Sequence, residues 1–251
     1  MLALEDPATP RPGRAAAGGL DASPQRLRSL ARAAQHDILR RLTPPLRHDM
    51  VVHLQSLGMM AEALGARMDR GAIAQEDLQS SVSKLNRLSR QAVARCLDVC
   101  TWMEPGEDDT IALREGVSEV VRLLSTSLNF RGFDLRIEPG EDDGAFDVSR
   151  SALRFLLAAA ILTLADAAPG PGAIAVRTGP ASSHGVIAAA YRPQPDGGFT
   201  QLQEAQHGPL AWTEVQALAA QHGVELQHDG PAIVLRLPRA VVTAPLKMVP
   251  V

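Results

Sequence analysis

The sequence predicts an α+β protein in which an antiparallel helical hairpin precedes an α/β sandwich. Two patterns predict this class. Between residues 46 and 103 the apolar residues recur every three or four positions, which is the spacing of amphipathic helices. After residue 110, short alternating segments typical of strands are interspersed with apolar helical segments. We therefore predict a disordered tail at 1–24, a helical domain at 25–104, an α/β domain at 110–240 and a second tail at 241–251.

The composition is that of a globular protein and excludes several classes. The 251 residues are 45% hydrophobic and carry a net charge of -3. This balance argues against a protein that coats nucleic acid, because such proteins need a basic surface. The longest uncharged apolar stretch, residues 155–165, is shorter than the roughly 20 residues that cross a bilayer. The N-terminus has no basic segment followed by an apolar one, so we expect no secretory signal, no membrane partner and a cytoplasmic location.

The helical part is predicted to contain two long helices. Ser23 and Pro24 suit an N-cap followed by the first helical residue, and the segment at residues 43–45, with its two prolines, is expected to kink or restart this helix. A second stretch is predicted from Leu46 to about Arg70, and a second long helix spans residues 75–104. We interpret Cys96 and Cys100 in that helix as buried apolar residues with free thiols.

A single hairpin cannot enclose the apolar stripe of its own two helices. We therefore expect two hairpins to associate as a four-helix bundle, which makes the protein a homodimer. The alternative is that the stripe packs on the C-terminal domain within a monomer.

The second part is predicted to alternate strands and helices, which favours a sheet covered by helices on one face. The expected elements are a strand at 110–113, a helix at 115–128, a strand at 133–137, a helix at 147–168, a hairpin at 173–177 and 186–191, a helix at 210–222, and closing strands at 224–226 and 233–237.

Three His-Asp pairs occur, at His36, His48 and His228. At about 100° per residue, His48 lies opposite the apolar stripe of its helix and should face solvent, whereas His53 lies at the edge of the stripe and is expected to be an interior histidine. An exposed imidazole beside a carboxylate suits phosphoryl acceptance, because a neutral ring nitrogen can attack while the carboxylate orients the ring. An ordinary surface histidine has the same pattern.

Charge is distributed unevenly around His48. Residues 25–48 contain six Arg and one Asp, a local charge of +5, whereas the chain from residue 105 onward contains 11 Lys and Arg against 17 Asp and Glu. The basic stretch is either a solvated helix face or an electrostatic guide for an acidic partner surface near His48.

The segment from Arg47 to Leu57, RHDMVVHLQSL, resembles the phospho-acceptor box of two-component histidine kinases. The hairpin after it resembles their dimerisation and histidine-phosphotransfer domain. Residues 147–157, 208–226 and 233–238 resemble segments of their ATP-binding domain, in the same order, so that the resemblance covers about residues 40–240. It implies a histidine-kinase-like α/β sandwich and a homodimer.

The sequence departs from this family at the nucleotide site. The family has an Asn on the long apolar helix that holds the Mg²⁺-phosphate end of ATP, but this chain has Asn only at positions 86 and 129, and the matching positions carry Ala159 and Thr163. The adenine box survives at best as residues 196–200, and the final glycine box keeps only Gly208. We therefore expect the sandwich without ATP binding, and no cofactor or metal of its own.

An acceptor hairpin joined to such a domain resembles the histidine phosphotransferases derived from kinases. The resemblance implies that His48 takes phosphate from the receiver domain of one response regulator and passes it to another, with Mg²⁺ held by the receiver. Asp49 would orient or deprotonate the ring, and Arg47 would help neutralise the phosphoryl charge. His36 is a rival acceptor if the proline pair begins the helix.

Three other functions stay open from the sequence. They are an active ATP-dependent histidine kinase with divergent boxes, a non-catalytic dimer that binds a response regulator, and a metal phosphohydrolase that uses His36, His48 and Asp49.

Overall fold

The hairpin consists of two long helices. The computed structural model describes residues 23–71, 74–103, 109–140, 146–181, 183–194 and 208–240. Helix α1 spans Pro24–Asp69 and α2 spans Gln75–Met103, and the two helices pack against each other. The Ser23 hydroxyl accepts a hydrogen bond from the Arg26 backbone N–H at 3.4 Å, which confirms the predicted N-cap. The predicted tail at 241–251 and nearly all of the tail at 1–24 lie outside the described residues.

The helix does not restart at the proline pair, because α1 is continuous through Pro44 and Pro45. Proline has no backbone N–H, so the carbonyls one turn earlier lose their helical donors. Burial offsets this loss, since Pro45 and Leu46 are both buried. His48 therefore lies well inside a helix and not at a helix start.

The α/β part has the predicted elements in the predicted order, with one additional strand (Asp147–Ser149) before the second helix of this part. They are β1 (Thr110–Ala112), α3 (Leu113–Phe130), β2 (Phe133–Ile137), β3 (Asp147–Ser149), α4 (Arg150–Ala167), β4 (Gly172–Ala181), β5 (His184–Pro193), α5 (Trp212–Gln221), β6 (Glu225–Asp229) and β7 (Ala232–Pro238). The main sheet has the order β2-β4-β5-β7-β6, in which β2 and β4 are parallel and the other pairs antiparallel. The predicted α+β class is confirmed.

Several boundaries differ from the prediction, and two of the differences have local reasons. The helix predicted from Asp147 begins at Arg150, because residues 147–149 form β3 and pair with β1, Val148 opposite Ile111. The Ser149 hydroxyl then caps α4 by accepting from the Ala152 N–H at 3.4 Å. The β4-β5 hairpin is longer than predicted, since its ladder runs from Gly172 opposite Pro193 to Ala181 opposite His184.

Helix α4 lies at the centre of the molecule. Every residue from 151 to 162 is buried, which explains why this helix is apolar on all its faces. It contacts α3, α5 and the strands β4, β5 and β7. Within the described part of the chain, residues 151–162 of α4 therefore have no side exposed to solvent.

The first half of α1 also joins this core. Ala31, Ala34, Ile38 and Leu42 are fully or almost fully buried, in the same cluster as the α/β core, and α1 contacts α3, α4 and α5. The predicted stripe that begins at Leu46 continues with half-buried residues and with exposed ones, among them Leu54 and Met68. The upstream half of α1 therefore packs on the α/β unit, and the division into domains at 25–104 and 110–240 stays a prediction.

Two groups of buried ion pairs hold the helices to the α/β unit. Arg41 of α1 donates two hydrogen bonds to the Asp166 carboxylate, at 2.5 and 2.8 Å, and Arg131 donates to the same carboxylate at 2.9 Å. In the second group Arg154 of α4, whose side chain is 1% exposed, contacts Asp98 at 2.8 Å and also Glu119.

The Arg154 guanidinium also lies 4.7 Å from the centre of the Trp102 ring, in a cation-π contact. The end of α2 is therefore fixed against α3 and α4. None of the helices in the described part of the chain combines the length and apolar character needed to cross a membrane.

Candidate functional site

His48 lies at a cavity where three helices meet. The cavity has a volume of about 220 Å³ and is formed by residues 44–46, 48 and 49 of α1, by the end of α2 and by one face of α3. His48 itself is exposed, as the sequence predicts. Its helix is continuous and packs on α2 and α3, which holds the backbone of His48 in place. The exposed imidazole is accessible to a partner.

Asp49 and Arg47 flank His48 on different sides. Asp49 is half-buried and lines the same cavity, whereas Arg47 is exposed and is not among the cavity residues. Consecutive helical residues point about 100° apart. His48 and Asp49 nevertheless make no hydrogen bond to each other in the described part of the chain, unlike His36 and Asp37 on the same helix. The structure therefore brings His48 and Asp49 to one cavity without a direct contact between their side chains.

His36 has a different environment. Its side chain is 77% exposed, and its Nδ1 lies 3.4 Å from a carboxylate oxygen of Asp37. It is one helix segment upstream of His48, roughly 18 Å along the axis at about 1.5 Å per residue. His36 does not line the cavity of His48. At this separation His36 and His48 cannot bind one metal ion, and the described residues contain no cluster of three or more His, Cys, Asp or Glu suited to a metal.

Two other sequence predictions have mixed outcomes. His53 is half-buried and Cys96 is half-buried, but Cys100 is exposed, so its interpretation as a buried apolar residue is wrong. Cys100 lies on the face of α2 that α1 leaves uncovered, next to the exposed Val93 and Leu97. The apolar residues of α2 lie on two adjacent faces of the helix. Ala92 and Val99 on one face are buried, whereas Val93 and Leu97 on the other are exposed.

The two positions of α4 that the resemblance aligns with the nucleotide site have buried side-chain atoms. Ala159 is completely buried, and the Thr163 hydroxyl is buried without a hydrogen-bond partner in the described residues. Gly208 is exposed just before α5, and residues 196–200 lie outside the described residues. A methyl group at position 159 has no atom that can bind Mg²⁺ or phosphate.

The face of α3 that lines the cavity was not identified from sequence. It contributes Glu119, Arg122 and Phe130, and α2 contributes Asp98 and Trp102. These residues are distant from His48 in sequence, and their own helical pattern indicates only which side of α3 faces the core. Their meeting depends on how the hairpin packs on the α/β unit.

The fold is thus a helical hairpin with an exposed histidine, followed by an α/β unit with a five-stranded sheet. No known family model matches the sequence, and no curated protein matches it. The chain is similar to solved structures of histidine kinases. A histidine kinase from Burkholderia phymatum STM815 is 16% identical and covers 81% of this chain and 97% of its own, with a TM-score of 0.39.

Two further solved structures are similar over most of this chain. A structure described as a bacterial phosphotransferase is 17% identical over 86% of this chain and 97% of its own, with a TM-score of 0.34. The histidine kinase ThkA in complex with the response regulator protein TrrA is 14% identical over 88% of this chain and 68% of its own, with a TM-score of 0.37.

Proposed function

We propose that the chain is a histidine phosphotransfer protein of a two-component phosphorelay, with His48 as the acceptor. The observation that carries the proposal is the position of His48, exposed on a rigid helix at the edge of a cavity that the hairpin and the α/β unit form together. Its partners are the receiver domains of response regulators. The acceptor box that includes Arg47, His48 and Asp49 supports the same assignment.

The proposed transfer needs only an imidazole and an aspartyl phosphate. The lone pair of a neutral ring nitrogen of His48 forms the N–P bond, the P–O bond to the receiver aspartate breaks, and its electron pair stays on that carboxylate. The proton on the other ring nitrogen is held by Asp49 or passes to solvent. Attack by the aspartate of a second receiver reverses these changes. Mg²⁺ belongs to the receiver in both directions.

Loss of ATP binding is the second part of the proposal. Three features support it: the buried Ala159, the helix α1 that packs over α4 and α5, and the ion pairs that fasten α1 and α2 to the α/β unit. A kinase must bring its nucleotide to its histidine. The pairs Arg41–Asp166 and Arg154–Asp98 instead favour one fixed position of the α/β unit relative to α1 and α2.

The experiment is transfer from a receiver in the absence of nucleotide. Each receiver domain of the source organism is phosphorylated with labelled acetyl phosphate, freed of the reagent and mixed with the full chain. We expect acid-labile label to move to the chain from at least one receiver, and from the chain to another. If no receiver of the complete set donates label, the proposal is wrong.

A non-catalytic dimer that binds a response regulator is the second candidate. The missing hydrogen bond between His48 and Asp49 favours it, because the ring is not oriented for attack in this state. The two candidates differ in one respect: a binding protein acts equally well after His48→Ala, whereas a phosphotransfer protein does not.

We further propose that the chain is a homodimer through the hairpin. Both helices expose apolar side chains next to their mutual contact: Leu54, Met68, Val82, Val93 and Leu97 are 42% to 61% exposed. At about 100° per residue, Leu54 and Met68 share one face of α1, and Val82, Val93 and Leu97 share one face of α2. A second hairpin would cover both faces, as in a four-helix bundle.

Replacing Leu97 by Glu is therefore expected to convert the dimer to a monomer. A charge in the centre of an apolar contact has no partner and loses its hydration there. Sedimentation velocity would show a fall from twice 26.7 kDa to 26.7 kDa. The control is Gln91→Glu, an exposed position on the opposite side of α2, which should leave the dimer intact. A wild-type chain that sediments as a monomer at high micromolar concentration would refute the dimer.

A further inference from the structure

The α/β unit presents one arginine to the cavity of His48. Arg122 is on α3 and lines the same cavity of about 220 Å³ as residues 44–46, 48 and 49 of α1. It is exposed, and it forms no ion pair among the described residues. Because the Arg122 side chain is long and flexible and lines the same small cavity as His48, its guanidinium can contact a group bound to the imidazole.

The acidic residues of this cavity have other partners. Asp98 and Glu119 both contact Arg154, whose guanidinium is almost completely buried between them. Their charge is thereby compensated within the protein. Asp49 is the remaining carboxylate, and it flanks His48 on α1. Arg122 is thus the cation of the cavity that is available for an incoming anion.

Other arginines close by are not placed in this way. Arg150 uses its guanidinium on Asp109, at 2.8 Å, and lies near Glu119, while Arg95 lies 4.0 Å from Asp98. Both line a neighbouring groove that Arg122 also borders, without His48. Arg47 precedes His48 on the same helix and points about 100° away from it.

We infer that Arg122 binds the phosphoryl group during its transfer to and from His48, an inference that rests on the proposed function. The group in transfer carries its negative charge on three oxygens, and a guanidinium stabilises that charge with two parallel hydrogen bonds. Arg122 takes no part in the bonds that change: the N–P bond forms, the P–O bond breaks and its electron pair stays on the receiver aspartate. Its contribution is electrostatic and is largest when the charge is shared between the two residues.

Through Arg122, the α/β unit would take part in phosphotransfer without binding a nucleotide. The unit contributes one side of the acceptor site. The ion pairs of Asp166 with Arg41 and Arg131 hold α1 to this unit, and the pairs of Arg154 hold the end of α2 to it. Phosphotransfer then depends on the packing of the two parts of the chain, and not on the hairpin alone.

The test compares Arg122→Ala and Arg122→Lys with wild type in transfer from a receiver labelled with acetyl phosphate, at saturating receiver concentration in a quench-flow instrument. Removal of one well-placed donor from a charge-developing site costs roughly 100-fold in rate. We expect Arg122→Ala to slow transfer by about that factor, and Arg122→Lys to recover part of it as a point charge without the planar fork. Thermal unfolding of both variants should match wild type, because Arg122 is exposed.

The matched control is Arg87→Ala, an exposed arginine of α2 that borders a different groove, which should transfer within about twofold of wild type. If Arg122→Ala transfers as fast as wild type while His48→Ala does not accept label, the inference about Arg122 is wrong and the proposed function stands. If wild type accepts no label from any receiver, the proposed function fails, and this inference with it.

Discussion

Replacing His48 by alanine is expected to abolish phosphoryl acceptance from a labelled receiver. The methyl group has no lone pair, so the N–P bond cannot form at that position. The matched variant is His36→Ala, which removes the other exposed histidine of a His-Asp pair on the same helix and should transfer at the wild-type rate. Acid-labile label on the chain, followed over time by gel or filter assay, measures both.

The His36 pair makes this comparison a strong one. The His36 side chain is 77% exposed and its Nδ1 lies 3.4 Å from a carboxylate oxygen of Asp37, so it is, like His48, an accessible imidazole next to an aspartate in the sequence. What it lacks is the cavity and the wall formed by α3. If label persists in His48→Ala and disappears in His36→Ala, the acceptor is His36 and the account of the cavity is wrong.

Replacing Asp166 by asparagine is expected to destabilise the fold by about 3 to 5 kcal/mol, the usual cost of removing one partner from a buried charge group. The Asp166 side chain is 10% exposed and accepts hydrogen bonds from two guanidiniums, of which Arg41 is 5% exposed. Asparagine keeps the shape but removes the charge, so Arg41 and Arg131 remain buried without compensation. The midpoint of urea unfolding, followed by circular dichroism, measures the loss.

Asp134→Asn is the control for this change. Asp134 pairs with Arg136 at the surface, and both side chains are largely exposed. Exposed pairs contribute about 0 to 1 kcal/mol, so the control should unfold close to wild type. Equal unfolding midpoints for the two variants would show that α1 is not held to the α/β unit by Asp166.

The element order could be predicted because the local signals agree with the tertiary structure. Ser23 and Pro24 mark the start of α1, and the uncharged run in residues 155–165 corresponds to a helix that is buried on all sides. The exposure of His48 also follows from local information, since its position opposite the apolar stripe needs only the helical repeat.

The other features depend on contacts between distant residues. Arg41 and Asp166 are 125 positions apart, and nothing near either residue indicates the other. The helix continues through Pro44 and Pro45, and Pro45 and Leu46 are buried there, which no local rule anticipates. Arg122 belongs to the same group, because it reaches the cavity of His48 only after the hairpin packs on α3.

The source of the phosphate tests the central claim most directly. The full chain is incubated in parallel with labelled ATP and Mg²⁺, without any other protein, and with a labelled receiver without nucleotide, and mass spectrometry locates the modified residue. We predict no label from ATP and phosphohistidine at position 48 from the receiver. Label from ATP on wild type, absent from His48→Ala, would instead identify an ATP-dependent kinase and contradict the account of the nucleotide site.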